Sequence, residues 1–301
     1  MTAQLSTEMT QAGAAKGEDG RARRASPMVH WGLALYAIAN REIGKFIRQR
    51  GRWASALIRP VLWLIVFAAG IGSLLGISIV PPYQTYVTYQ EYIMPGLLGI
   101  VLLFYGMQSS LSMVYDREMG MMRLLLTAPL PRWAILLFKL LGATFLAVIQ
   151  AYIFLLITYG FSFIFPRLTA ALPWSGWLYA LGPLFLSGMM LSSVGLLLSV
   201  YIRQLENFAG AMNFVIFPMF FISPALYPLW KLREVGADVV YWGAQINPFT
   251  HVIELIRYAI YGQFNAVALA VVVGVTLACF ILAAIGYDPQ RGMIQRIGRA
   301  N

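Results

Sequence analysis

The side chains able to do chemistry in this 301-residue chain crowd into a few short stretches and avoid the rest. The densest stretch is Tyr115–Trp133, YDREMGMMRLLLTAPLPRW. It opens with Asp116, Arg117 and Glu118, passes Gly120 and Arg123 to Leu124, Leu125 and Leu126, and closes on Pro129, Pro131 and Arg132. An apolar stripe between charged ends describes a short helix that enters a cleft of another protein. The leucines supply packing, while Asp116, Glu118, Arg123 and Arg132 set register through charge pairs. The prolines stop that helix and turn the chain back. A helix lying on lipid would not need acids at positions 116 and 118.

Three other sets of polar residues stand out. Ile246-Asn247-Pro248-Phe249-Thr250-His251 leads into Glu254 and Arg257, three apart and so able to pair on one helix face. Arg41, Lys45, Arg48 and Arg52 fall within about 60° of one another on a helical wheel, opposite Leu35, Tyr36, Ile43, Phe46 and Ile47. Gln108, Gln150 and Asn213 sit inside apolar runs, where they either line a path or form helix–helix hydrogen bonds worth about 0.6 kcal/mol each.

Several activities are excluded by what the sequence lacks. No Gly-x-x-x-x-Gly-Lys-Ser/Thr loop occurs, so ATP is not bound here in the usual way. Neither His-Glu-x-x-His nor Gly-x-Ser-x-Gly is present. A single cysteine, Cys279, and two distant histidines, His30 and His251, offer no disulfide framework or metal cluster. The chain is expected to carry no catalytic residue, cofactor or metal of its own.

The elements that position these residues follow from composition. Hydrophobic residues make up 59% and charged residues 11%, against about 25% charged in a soluble domain. Mean hydropathy is +0.70. Uncharged runs at 60–90, 92–115, 140–166, 168–202, 207–230 and 258–287 each exceed the roughly 20 residues that cross about 30 Å of hydrocarbon. They predict an all-α integral membrane protein with six spans, near 58–77, 93–114, 135–158, 178–200, 208–229 and 266–286. The 239–253 run is too short to cross and predicts an interfacial or re-entrant segment. With both termini cytoplasmic, 18 basic residues fall inside and four outside, which fixes the orientation and accounts for the net charge of +10 without nucleic acid. Residues 31–52 then form an amphipathic elbow helix in the inner interface. Residues 1–30 and 287–301 are cytosolic tails, the first disordered and without the apolar core of a signal peptide. Pro183, Pro218 and Pro224 are expected to kink spans 4 and 5, and Gly72–Gly76 offers a small-residue packing motif. The uncharged runs hold no Asp, Glu, Lys, Arg or His, which argues against proton-coupled transport.

The order of acids, Gly, hydrophobic triplet, Pro and Arg in 115–133 resembles the permeases of the ABC-2 exporter family, which includes drug-resistance and nodulation-factor export permeases. The Asn247-Pro248 stretch before the last span, Arg59-Pro60 and Met94-Pro95-Gly96 are similar to residues in the same places. The resemblance covers about 31–286, with one departure at Arg123, where many relatives carry Glu. It implies that 116–132 is the coupling helix docking into a separate P-loop ATPase, which binds ATP and magnesium. It also implies that 230–262 forms a pair of short re-entrant helices on the extracytoplasmic side. A homodimer or pseudo-dimer in a bacterial inner membrane, exporting an amphipathic or hydrophobic substrate, is the function implied. A membrane scaffold and an ion-coupled carrier are the alternatives.

Overall fold

The computed structural model describes residues 88–120, 131–164, 173–202 and 204–287, together with 60–66 and isolated positions among 32–58. Among the described residues the chain is helical throughout, without strands. The helices are α1 (Tyr89–Glu118), α2 (Arg132–Ile164), α3 (Trp174–Tyr179), α4 (Leu181–Tyr201) and α5 (Leu205–Phe221), followed by α6 (Leu229–Glu234), α7 (Asp238–Ile246), α8 (Pro248–Ile260) and α9 (Ala266–Gly286). Of these, α1, α2, α4 and α9 are long and apolar enough to cross a membrane.

The central helix is α1. Its 30 residues extend about 45 Å, enough to pass through hydrocarbon and both headgroup layers. A capping box starts it: Thr88 Oγ1 accepts from the Glu91 N–H, and Glu91 Oε2 accepts from the Thr88 N–H at 2.9 Å. It packs most extensively on α4, and also on α2, α5 and α8. The α1–α4 crossing is close because Gly106 faces the Ser192 backbone and Gly195 faces Ser110 and the Gly106 carbonyl. α9 behaves differently. It is apolar on every side, yet only Ala268, Val272, Thr276 and Ala283 are buried, a helical stripe against α4. Val267, Val273, Leu277, Ile281 and Ile285 are exposed on its other faces.

Three sequence expectations are corrected. The span expected at 208–229 is a 17-residue helix ending at Phe221, about 26 Å long. Pro224 lacks an N–H and disfavours helix at Ser223, so the apolar run continues while the helix does not. Pro183 does not kink α4 from within; it lies in the first turn, where no N–H is missed. Residues 67–77 of the first expected span, and with them Gly72–Gly76, lie outside the described residues, and 60–66 are helical. The 230–262 connection is three short helices, α6 to α8, rather than two.

Candidate functional site

Polar side chains gather at the two ends of the bundle. At the end of α1, three consecutive residues each hold a different element. Asp116 is 2% exposed. Its Oδ1 accepts from Arg41 Nη2 at 2.9 Å and its Oδ2 from Lys139 Nζ at 3.1 Å, joining the 32–48 segment and α2 to α1. Arg117 Nη1 donates to the Val200 carbonyl at 3.4 Å, at the C-terminus of α4. Glu118 Oε1 accepts from the Leu205 N–H at 2.9 Å, at the N-terminus of α5. Both signs suit the helix dipoles: a cation where carbonyls are left over, an anion where N–H groups are. Gly120 then leaves the helix at φ +70°, a conformation glycine adopts without strain. Tyr287, buried beside this hub, has its phenol pushed up by burial and pulled down by Arg117 and Arg132.

Asp116 is therefore turned into the bundle, while Glu118 is exposed and caps a neighbouring helix. Arg132 opens α2 on the exposed surface. Arg123, Leu124, Leu125, Leu126 and Pro129 lie outside the described residues, as do Lys45 and Arg52. Arg41 and Arg48 are in helical positions.

The opposite end is organised around the break after α5. Carbonyls freed between Met219 and Leu226 are taken up by side chains from elsewhere. Asn247 Nδ2 donates to Met219 and Ile222, at 2.7 and 2.5 Å. Arg257 Nη2 donates to Pro224 at 2.9 Å, and Tyr92 donates to the same oxygen at 3.2 Å. Tyr89 donates to Leu226 at 2.9 Å, and Tyr227 to Phe221. Burial pushes the Tyr227 phenol above its ordinary range, so it stays protonated and donating. Arg257, 5% exposed, also lies 4.2 Å over the Tyr92 ring, where the cation meets the negative face. The Asn-Pro pair has a local role too: Asn247 Oδ1 caps α8 by accepting from Phe249 N–H at 3.0 Å, and Pro248 takes N1. Glu254 lies half-buried on the same helix.

Removing the Asn247 amide strips donors from two carbonyls and uncaps α8. Asn247→Ala is expected to cost about 2 kcal/mol, read as a lowered Tm of the purified protein. Asn247→Asp keeps the cap but sets a carboxylate against two carbonyl oxygens, and is expected to be worse. An aspartate variant as stable as the native chain would contradict the donor role.

The three amides of the apolar runs have different surroundings. Gln150 is enclosed within the bundle, Gln108 is half-buried on α1, and Asn213 lies on the exposed face of α5 with Phe214 and Phe217. Lys139, Tyr92 and Gly96 were not legible as site residues. The signal for Lys139 was its isolation in an otherwise apolar helix, which demands an anionic partner.

Among the described residues the site is a charged hub at one end of a helical bundle and a buttressed helix break at the other, in a chain with four helices long and apolar enough to cross a membrane. Residues 34–261 match the ABC-2 type transporter family, and the chain belongs to that family. It is 24% identical over 256 residues to the inner membrane transport permease YadH of Escherichia coli strain K12, covering 85% of this chain and 92% of that one. The putative transport permease ycf38 of Cyanophora paradoxa is 26% identical over 225 residues, 74% of this chain and 73% of its own. Nodulation protein J of Rhizobium leguminosarum bv. viciae is 30% identical over 90 residues, 30% of this chain and 33% of its own. The first two bear the name of transport permeases, the family is one of transport permeases rather than catalytic enzymes, and it implies in general an ABC ATPase as partner.

Proposed function

We propose that the chain is the permease subunit of an ATP-driven exporter. Two copies, or one copy with a close relative, join two P-loop ATPase subunits that bind ATP and magnesium. The complex sits in a bacterial inner membrane with six spans per permease and both termini cytoplasmic, and it expels an amphipathic or hydrophobic drug, metabolite or lipid-linked glycan. One observation carries this reading: Asp116, Arg117 and Glu118, at the root of the 119–131 loop, hold the 32–48 segment, α2, α4 and α5 separately. A displacement of that loop by a docked ATPase is passed to every one of those elements together. Closure of the ATPase dimer pulls the loop and the elbow, and the permease halves rock outward.

The test is co-purification from native membranes through a C-terminal tag, in mild detergent. A P-loop ATPase is expected with the native chain and is expected to be lost with Leu125→Asp, which puts a charge into the leucine stripe. The variant should insert normally but no longer export. Retention of the ATPase and of export by Leu125→Asp would remove the docking role. Absence of any ATPase from abundant, stable native protein would favour a scaffold or an ion-coupled carrier.

A further inference from the structure

A cavity of about 30 Å³ lies between α1, α2 and α4, close to the charged hub. Ser109, Ser110, Ser112, Ser192 and Lys139 line it, with apolar side chains completing the wall. The serines come from two helices that Gly106 and Gly195 bring unusually close. Ser109 and Ser110 turn their hydroxyl hydrogens back to the Gly106 carbonyl, at 2.8 and 3.4 Å, leaving oxygen lone pairs facing the space. Ser192 is 1% exposed, and its hydroxyl has no partner among the described residues. Buried hydroxyls without a partner are rare in folded proteins, so one that borders a polar cavity points to a bound ligand.

We propose that this cavity is a water site, holding one or two ordered waters that hydrogen-bond Ser192 Oγ and solvate the Lys139 ammonium. The space is sufficient, since one water needs about 10–15 Å³ and two to four polar partners. Apolar cavities of this size stay dry, whereas this one offers hydroxyls and a cation. The chemistry also suits Lys139, which is 7% exposed and carries three N–H donors, one of them directed at Asp116 Oδ2. The site is internal to one chain and does not depend on the transport reading.

Silver ion, close to water in size and reactive with thiols, tests this in native membranes. Cys279 is the only cysteine, so Cys279→Ser provides the background. Ser192→Cys is added to it, and Ala151→Cys, fully buried in the apolar core of α2, serves as the dry control. Silver-protected thiol is counted by alkylation after denaturation. Ser192→Cys is expected to react at least about tenfold faster than Ala151→Cys, since only the former borders water. Equal, slow reaction of both would overturn the site. Where Ser192→Cys fails to insert, Ser110→Cys, also buried and on the α1 wall, is judged by the same comparison.

Discussion

Asp116→Ala is expected to destabilise the folded permease by about 3–5 kcal/mol, the usual cost of stripping a buried charge of its partner. The loss falls unequally on the two cations. The Arg41 side chain is 29% exposed and can turn its guanidinium to water, so its pair is worth about 1 kcal/mol or less. The Lys139 side chain is 8% exposed and is fixed in the second turn of α2, facing the bundle. Most of the penalty is therefore that of an uncompensated ammonium. Removing it as well should restore stability: Asp116→Ala with Lys139→Met is expected to lie within about 1–2 kcal/mol of the native chain, because an apolar replacement of a buried pair is often neutral. Arg41→Ala alone should be mild. Thermal unfolding of these proteins and of Lys139→Met alone, in one detergent, closes the cycle. If the double variant is no better than Asp116→Ala, the charge pair is not the source of the cost, and the role assigned to Lys139 fails.

That cycle also separates anchoring from docking. The sequence reading places Asp116 on the coupling helix, where its charge sets register against the ATPase. Its inward turn was readable from helical phase, since it follows Met113, buried on the same helix, by three residues. The bonding partner was not readable. Nothing in the local pattern says that Arg41 and Lys139, from elements before and after α1, converge on one carboxylate.

Other parts of the fold show the same division between local and distant information. The last helix occupies 266–286 within the uncharged 258–287 run, because Asn265, whose side chain accepts from the Ala268 N–H, starts it. The start of α1 at Tyr89 was legible as Thr-x-x-Glu, but counting uncharged residues placed the boundary after Glu91 and passed over the cap. The end of α5 was missed for a similar reason: hydropathy continues through Pro224, while backbone hydrogen bonding does not. The Asn247-Pro248 pair stands out in the sequence, and its helix cap is a local matter. Its grip on Met219 and Ile222 depends on a fold that returns α8 beside the broken end of α5.

The largest single effect is expected at Gly96. It lies on α1 against Ala225, in the segment that follows the break. A Cβ at position 96 would stand 2.2 Å from the Ala225 carbonyl oxygen and 2.7 Å from its Cα. Backbone atoms have no rotamer by which to yield, so α1 and the 222–228 segment must separate. That separation breaks the Tyr89, Tyr92 and Arg257 hydrogen bonds to Leu226 and Pro224 and parts the Arg257 cation from the Tyr92 ring. Gly96→Ala is expected to cost more than about 4 kcal/mol, in the range reserved for lost core architecture. Gly160 on α2 is the control, since a Cβ there meets nothing within 4 Å among the described residues. Gly160→Ala should be neutral or stabilising by up to about 1 kcal/mol through helix propensity. A local readout distinguishes parting of this end from general unfolding. Arg257, buried in the native chain, should become a trypsin site in Gly96→Ala at temperatures where the rest of the bundle still resists cleavage. If Gly96→Ala matches Gly160→Ala in stability and Arg257 stays protected, α1 does not rest on the Ala225 backbone. The buttress drawn around the break would then have to be abandoned.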